Sequence, residues 1–309
     1  MTAGAIGGGM SGGALRGGGT IVGAVILLAL AVTMQMARDR LYPRQGLDAE
    51  GLLYVRSPAV MDRLVLGFDA LAADVYWIRA IQHYGGDRRS ERTATRRYEL
   101  LYPLLDITTS LDPYFNLAYR FGAIFLSEQY PGGAGRPDQA IRLLRKGIAQ
   151  NPGKWQYHHD IGFIYYWSLR NRTEAAAWFR RAAEQPGAPA WLLPLAASML
   201  VEANDRASSR YLWGQIAQSD QEWLRTRAER ALLQLDALDH IDVLTGQLQD
   251  VLSTLGPPYS WTRLAQAGVL RGIPADPTGT PYEMDPATGQ ITVSNSSPLF
   301  PMLKTGSPR

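Results

Sequence analysis

Apolar residues recur at helical spacing through most of the middle of the chain. Between residues 61 and 84 apolar side chains recur at helical spacing, including Leu64, Leu66, Phe68, Leu71, Val75, Ile78 and Ile81. Side chains at this spacing share one face of an α-helix. A second such pattern runs from 93 to 110 and ends at Asp112-Pro113, since a residue before proline disfavours the helical conformation. The pattern predicts a run of helices over 61–255, with Gly85-Gly86 ending the first of them.

The amino-terminal part of the chain has a different character. Residues 1–19 are dominated by glycine and small residues, and we expect a disordered leader because they cannot bury enough apolar surface to offset their backbone entropy. Residues 20–37 are uncharged and mostly aliphatic, and about 20 such residues match the thickness of a bilayer core. We therefore predict a single transmembrane helix there, followed by a linker over 38–60. The small residues of Ala29-Leu30-Ala31 leave a cleaved signal peptide as the alternative.

Small and aromatic residues recur with a regular offset in the centre of the chain. Two helix pairs share this arrangement, with Gly122, Ala140, Leu144, Gly147 and Pro152 in one pair and Gly162, Ala175, Phe179, Ala182 and Pro186 in the next. The arrangement resembles the tetratricopeptide repeat (TPR), a helix–turn–helix unit with a period of about 34 residues. The step from Gly122 to Gly162 is 40 residues, and the loop Pro131–Arg136 accounts for the excess.

The resemblance implies an all-α fold in which successive helix pairs stack into a right-handed superhelix. The small residue would let the two helices of a pair approach closely, while the large residue opposite fills the gap, and each pair needs a neighbour to cover its open side. A looser third pair follows, with Ala196, Leu200, Ala207, Tyr211 and Gly214 near the expected offsets. A long helix from about 221 to 252 would then cover the end of the stack.

Residues 256–309 change to a composition rich in proline and glycine. We predict a short helix over 260–267 and two short strands, 281–284 and 290–294, joined by a turn. The run 272–282 resembles the tail of type II secretion pseudopilins, which implies a docking element. The prediction for this part is a small α+β appendage to the helical body.

Composition narrows the chemistry further. The chain has no cysteine, which excludes disulfides, thiolate metal sites and cysteine nucleophiles. Its charges nearly balance, with 31 Lys and Arg against 28 Asp and Glu, so the charge pattern does not call for nucleic acid. The sequence has no nucleophile elbow, phosphate loop, dinucleotide fingerprint or paired metal-binding histidines. We expect a binding protein rather than an enzyme, with no cofactor, no metal and no nucleic-acid partner.

Two charged runs remain open to a functional interpretation. Residues 87–97 carry five arginines, which we interpret as a solvated loop, with contact to anionic lipid head groups as the alternative. The run His158-His159-Asp160 places two imidazoles side by side in the sequence. Adjacent helical residues point about 100° apart, so we interpret this run as an ordinary helical segment.

In the TPR fold the first helices of successive pairs line a groove. The register directs these residues towards it: Asn116, Tyr119, Gln156, His159, Phe163 and Tyr166. Amides suit the backbone of an extended peptide and aromatic rings suit its side chains, although Phe163 and Tyr166 could instead pack between units.

The predicted function is a membrane-anchored scaffold, with an exported or periplasmic body, that binds a protein or peptide or assembles an envelope complex. One alternative is a permanent subunit of a larger membrane complex, which would expose a broad apolar patch. The other alternative is a hydrolase with a helical superhelix, in which carboxylates such as Asp160 or Glu174 would act as acid and base. A cleft holding two carboxyl groups roughly 5 to 10 Å apart would favour that reading.

Overall fold

The computed structural model describes residues 23, 25–34, 36–37, 67–90 and 98–306. The chain divides into two compact units, residues 1–54 and residues 55–309. The predicted leader and linker lie outside the described residues, and so does part of the predicted anchor.

In the first unit, residues 25–34 form a helix whose side chains are exposed. Thr33 donates from Oγ1 to the carbonyl of Ala29, one turn earlier, at 2.9 Å. Within the described part of the chain, no helix is both long enough and apolar enough to cross a membrane.

The second unit consists mainly of α-helices, which confirms the predicted all-α class. Its helices are α1 (Asp69–Arg89), α2 (Leu101–Leu111), α3 (Asn116–Ser127), α4 (Pro137–Gln150), α5 (Trp155–Trp167), α6 (Arg172–Ala183), α7 (Leu192–Glu202), α8 (Arg206–Ile216), α9 (Glu222–Leu255) and α10 (Trp261–Gln266). They are followed by the short strands β1 (Glu283–Met284) and β2 (Ile291–Thr292).

Consecutive helices pack against each other from α1 to α9, as expected for stacked helix pairs. Contacts also run between alternate helices, because α3 packs on α5 and α2 packs on α4. The Trp77 ring of α1 stacks on the Phe125 ring of α3, with the ring centroids 6.3 Å apart. We therefore describe α1, α3 and α5 as the first-helix layer and α2, α4 and α6 as the second-helix layer.

The two glycines that define the predicted units lie at close helix approaches. A Cβ placed on Gly122 would lie 2.8 Å from Leu105 Cδ1 of α2, and one placed on Gly162 would lie 2.7 Å from Phe179 Cδ1 of α6. Contacts this short are repulsive, so a larger residue at either position would force the neighbouring side chain to move. At Gly162 the close approach lies within the predicted pair, whereas at Gly122 the closest contact is to α2 of the preceding pair and Leu143 of its own pair follows at 3.1 Å.

The boundaries of the first two helices differ from the prediction. Helix α1 does not end at Gly85-Gly86 but continues to Arg89. The last turn of α1 is held by tertiary contacts, because Arg88 donates from Nη1 to Glu128, the C-cap residue of α3, at 2.9 Å. Helix α2 begins only at Leu101, after Tyr98 with a positive φ of 50°.

Helix α9 is a single helix of 34 residues that belongs to two hydrophobic clusters. Its first half packs with α6, α7 and α8 through Leu224, Ala228 and Leu235. Its second half packs through Leu248 against the carboxy-terminal module, which contributes Trp261 and Tyr282. The long terminal helix predicted from the sequence is confirmed.

The carboxy-terminal module contains the predicted hairpin and short helix. Strands β1 and β2 pair antiparallel, with Met284 opposite Ile291. In the turn between them, Asp285 Oδ1 accepts from the backbone N–H of Ala287 at 2.9 Å and of Thr288 at 2.7 Å. The hydroxyl of Ser260 caps α10 by accepting from a backbone N–H of its first turn.

Candidate functional site

Helix α1 exposes several of the apolar residues whose helical spacing predicted this helix. The residues buried against α2 are instead Ala73, Tyr76, Ala80 and Tyr84. On α3 and α5 the sides turned away from the second-helix layer also carry large apolar side chains. We call this surface the open face, and its apolar members, each at least 40% exposed, are Leu71, Val75, Ile78, Ile81, Leu117, Phe121, Ile124, Phe163 and Trp167.

The α3 part of the open face is less covered than the equivalent part of the next unit. Leu117, Phe121 and Ile124 expose 54%, 46% and 52% of their surface. The residues forty positions later on α5, which are Tyr157, Ile161 and Ile164, expose 0%, 0% and 3%. In α5 these positions are covered by packing within the stack, whereas in α3 they face solvent.

Neighbouring units are joined by polar contacts with a nearly constant separation in sequence. Arg88 donates to Glu128, and Arg120 donates to Asp160 from Nε at 2.6 Å and from Nη2 at 3.2 Å, both over 40 residues. Further contacts over 40 or 41 residues join Asp106 with Lys146, Asn116 with Tyr157, and Ser127 with Ser168. This regularity indicates that the first three helix pairs stack with a similar offset.

The loop that lengthens the second unit folds back on α3. Three backbone N–H groups, in residues 134–136, donate to carbonyls in or just after the last turn of α3 at 2.7 to 3.1 Å. This region positions Glu128, whose Oε2 accepts from the Tyr84 hydroxyl of α1. Burial, followed by the hydrogen bond to Glu128, raises the pKa of Tyr84 to about 12, so its phenol stays protonated and can donate.

Of the predicted groove residues, Asn116 and Tyr119 take part in contacts between units. Asn116 is exposed, and its Oδ1 accepts from the Tyr157 hydroxyl at 2.6 Å. Tyr119 is fully buried, packs on the Tyr157 ring at 5.3 Å between centroids, and donates to Thr109 O at 3.3 Å. Tyr119 therefore supports the stack from inside rather than facing a ligand.

Helix α5 brings His159 into an aromatic cluster at its amino-terminal end. The His159 ring lies edge-on to the rings of Trp155 and Trp191, at 6.1 and 5.7 Å between centroids. Its Nδ1 lies 3.1 Å from Asp160 Oδ1. The other oxygen of Asp160 accepts from Arg120, so this carboxylate is held by both neighbours.

The remaining predicted residues of α5 differ in their surroundings, and Tyr166 packs against the hydrophobic cluster of α6 to α9. Phe163 is exposed and stacks on Trp167, with the rings inclined by 5°. Tyr166 is half-buried, and the guanidinium of Arg172 lies 5.9 Å from its ring centroid. Gln156 is half-buried on the first turn of the helix.

His158, the neighbour of the predicted groove residue His159, points into the stack. It is buried beside Trp178, with 5.9 Å between ring centroids. Burial lowers the pKa of His158 and so favours its neutral form. The side chains of the two adjacent histidines thus lie in different environments, as their helical spacing predicts.

The sequence reasoning missed the α1 and α3 members of the open face. On α1 the available signal was that apolar residues occupy nearly every side of the helix, which exceeds what one buried face requires. Elsewhere in the described residues, no three His, Asp or Glu side chains come close enough to hold a metal ion together. The basic run 87–97 is described only as far as residue 90.

Comparisons with known proteins add no relative to this picture. No family model, no curated protein and no solved structure matches the chain.

Proposed function

We propose that this protein is a TPR-like scaffold that binds another protein through the open face of its first-helix layer. Nine large apolar side chains from three successive units lie exposed on this face, and that observation carries the proposal. Exposed apolar surface that is contiguous and large marks interaction sites in soluble proteins. The alternation of first and second helices around Gly122 and Gly162 supports the TPR-like superhelix as its framework.

The chemistry of the open face suits a protein partner. Phe121, Phe163 and Trp167 offer aromatic anchors, which contribute most of the binding energy at many interfaces. Asn116 is exposed at the start of α3 and can add a polar contact to a partner. In this proposal the predicted groove residues Gln156, His159 and Tyr166 border the same surface on α5.

The proposal also includes the cellular location of the protein. We place the scaffold at a membrane through residues 20–37, with the helical body on the exported side, because this segment is uncharged and aliphatic in sequence. The carboxy-terminal hairpin module extends the second half of α9, where it can provide a separate docking element.

A second candidate function is a permanent subunit of a larger membrane complex. The breadth of the open face favours it, because obligate interfaces are larger and more apolar than transient ones. In that case the isolated chain would self-associate or precipitate, and it would stay in one assembly of fixed stoichiometry during purification. A regulated scaffold would instead exchange partners and remain monodisperse alone.

The experiment is to replace open-face residues in the full chain and follow its assembly in the native host. We expect Phe121→Ser combined with Phe163→Ser to lose crosslinks to the partner while the purified protein keeps its helical content. The matched control is Tyr211→Ser, an exposed aromatic of α8 outside the open face. Unchanged crosslinking in the double variant, or equal loss in the control, would contradict the proposal.

A further inference from the structure

The exposed side chains of α1 have a spacing suited to a second helix. Leu71, Asp74, Ile78 and Ile81 follow one another at intervals of three, four and three residues, so they form one stripe along α1. This alternating three-and-four spacing is the pattern by which one α-helix packs lengthwise on another. The neighbouring stripe of α3, which is Leu117, Phe121 and Ile124, has the same kind of spacing.

Helices α1 and α3 run in the same direction, and we call the surface between their two exposed stripes the groove. Tyr84 contacts Phe125, and one turn later Arg88 contacts Glu128, so the two helices advance together. In the next unit, the positions equivalent to the α3 stripe are buried within the helical stack. By analogy within the same chain, the cover that suits the α3 stripe is packed helical structure.

The carboxylate of Asp74 favours an occupant of the groove that carries a positive charge. It is an exposed carboxylate in the middle of an aliphatic stripe, and no ion pair to it is found within the described residues. The guanidinium of Arg88 lies 14 residues further along α1, about 21 Å away, and it is engaged by Glu128 and Tyr84. Covering an unpaired carboxylate with apolar groups is costly, so an occupant that fits must bring a positive charge to it.

We propose that the groove between α1 and α3 binds an amphipathic α-helix of a partner protein, with a Lys or Arg of that helix placed against Asp74. This inference rests on the proposed function and names the partner's chemistry at one part of the open face. Apolar residues of the bound helix contact the two aliphatic stripes, and its basic residue fixes the register along α1.

Two other occupants fit less well. A bilayer offers no fixed counter-charge at the level of Asp74, and a carboxylate is costly to place in the apolar part of a membrane. A second copy of α1, paired antiparallel about the middle of the stripe, would bring Ile78 rather than a cation to Asp74. Both occupants remain distinguishable outcomes of the experiment below.

The test uses the full chain and a pair of synthetic helical peptides. Because the chain has no cysteine, Gln82→Cys allows one environment-sensitive dye to be attached beside the stripe. Both peptides carry leucines at alternating three-and-four spacing; one has Lys at the central position of the apolar face and the other has Glu. We expect the Lys peptide to shift the dye emission at about tenfold lower concentration than the Glu peptide, because only it pairs with Asp74.

A charge reversal in the protein provides the decisive comparison. In the Asp74→Lys background the preference should invert, so that the Glu peptide binds more tightly, while circular dichroism reports an unchanged fold. Equal binding of both peptides in both backgrounds overturns the proposal. So does a dye shift caused by vesicles of phosphatidylglycerol instead of peptide, or a concentration-dependent self-association that Ile78→Ser abolishes.

Failure of this inference can be distinguished from failure of the proposed function. Partner crosslinks that depend on Phe121 and Phe163, together with peptides that show no charge preference, would refute only the helix-and-cation inference. Loss of those crosslinks in the Tyr211→Ser control would refute the open face as the binding surface, whatever the peptides do.

Discussion

Arg120 of α3 donates two hydrogen bonds, of 2.6 and 3.2 Å, to the carboxylate of Asp160 on α5, forty residues further along the chain. The pair joins the first helices of two successive units, and the Asp160 side chain is only 15% exposed. It is the best-buried ion pair at a junction between first helices in the described part of the chain. Loss of this ion pair should therefore weaken the packing between α3 and α5.

We expect Arg120→Ala to lower the free energy of unfolding by about 1 to 2 kcal/mol, because Asp160 loses its charged donor while remaining largely buried. The half-exposed position of Arg120 keeps the effect below that of a fully buried pair. Urea denaturation would measure it. Arg180→Ala is the matched control, since Arg180 pairs with Glu184 at 3.8 Å on the surface and should cost less than about 0.5 kcal/mol. Equal costs in the two variants would contradict the assignment.

Glycine substitutions test the close approach of the helices within a unit. Gly162→Ala should destabilise the protein by about 1 to 2 kcal/mol, because the new Cβ would meet the buried Phe179 ring at 2.7 Å. Gly214→Ala is the control, because its Cβ would meet no atom within 4 Å. There we expect a gain of up to about 1 kcal/mol from helix propensity alone. Opposite signs in thermal unfolding support the packing argument, and a gain in both variants would refute it.

Alkaline pH should weaken the stack through Tyr119. Burial raises the pKa of Tyr119 from 10.0 to about 12, so the folded state keeps a proton that the unfolded state loses between these values. Stability from this group is thus complete below pH 10 and declines as the pH rises towards 12. The slope is at most about 1.4 kcal/mol per pH unit. Tyr119→Phe should flatten the decline in urea titrations above pH 10. An unchanged slope in that variant would exclude Tyr119 as a source of the effect.

The carboxy-terminal tail is tied to α9 by Gln234. This buried amide donates from Nε2 to the carbonyls of Leu299 at 2.6 Å and Pro301 at 2.9 Å. Gln234→Leu leaves both carbonyls without that donor, at a cost of about 1 to 3 kcal/mol. We expect faster hydrogen exchange and proteolysis in residues 297–306. Gln215→Leu, an exposed residue of α8, should leave the tail as protected as in the wild type.

The two units around Gly122 and Gly162 were predictable because a closely packed helix pair requires a small residue at the contact, and that residue is visible in the sequence. The hairpin was predictable for a similar reason, since Asp285 and Gly289 are turn residues with a local role. In both cases the physical cause acts over a few residues or at a fixed helical spacing. The predicted packing of consecutive helices is confirmed for these two units.

The exposed stripe of α1 could not be predicted in the same way. Helix α1 is apolar on nearly every side, so periodicity does not decide whether Ile78 or Tyr76 faces the core. Tertiary packing decides it, by placing Tyr76 against the second-helix layer and leaving Ile78 outside. The Arg120–Asp160 pair is likewise a contact between distant residues that no local pattern encodes.

Helix α9 couples the position of the carboxy-terminal module to that of helices α6 to α8. Its 34 residues extend for about 51 Å without a break, so α9 connects the two hydrophobic clusters as one continuous helix. A tilt of about 5° imposed at the hairpin end would move the α8 end by roughly 4 Å over that length. A displacement of the small module would therefore be transmitted along α9 to the helices that pack on its first half.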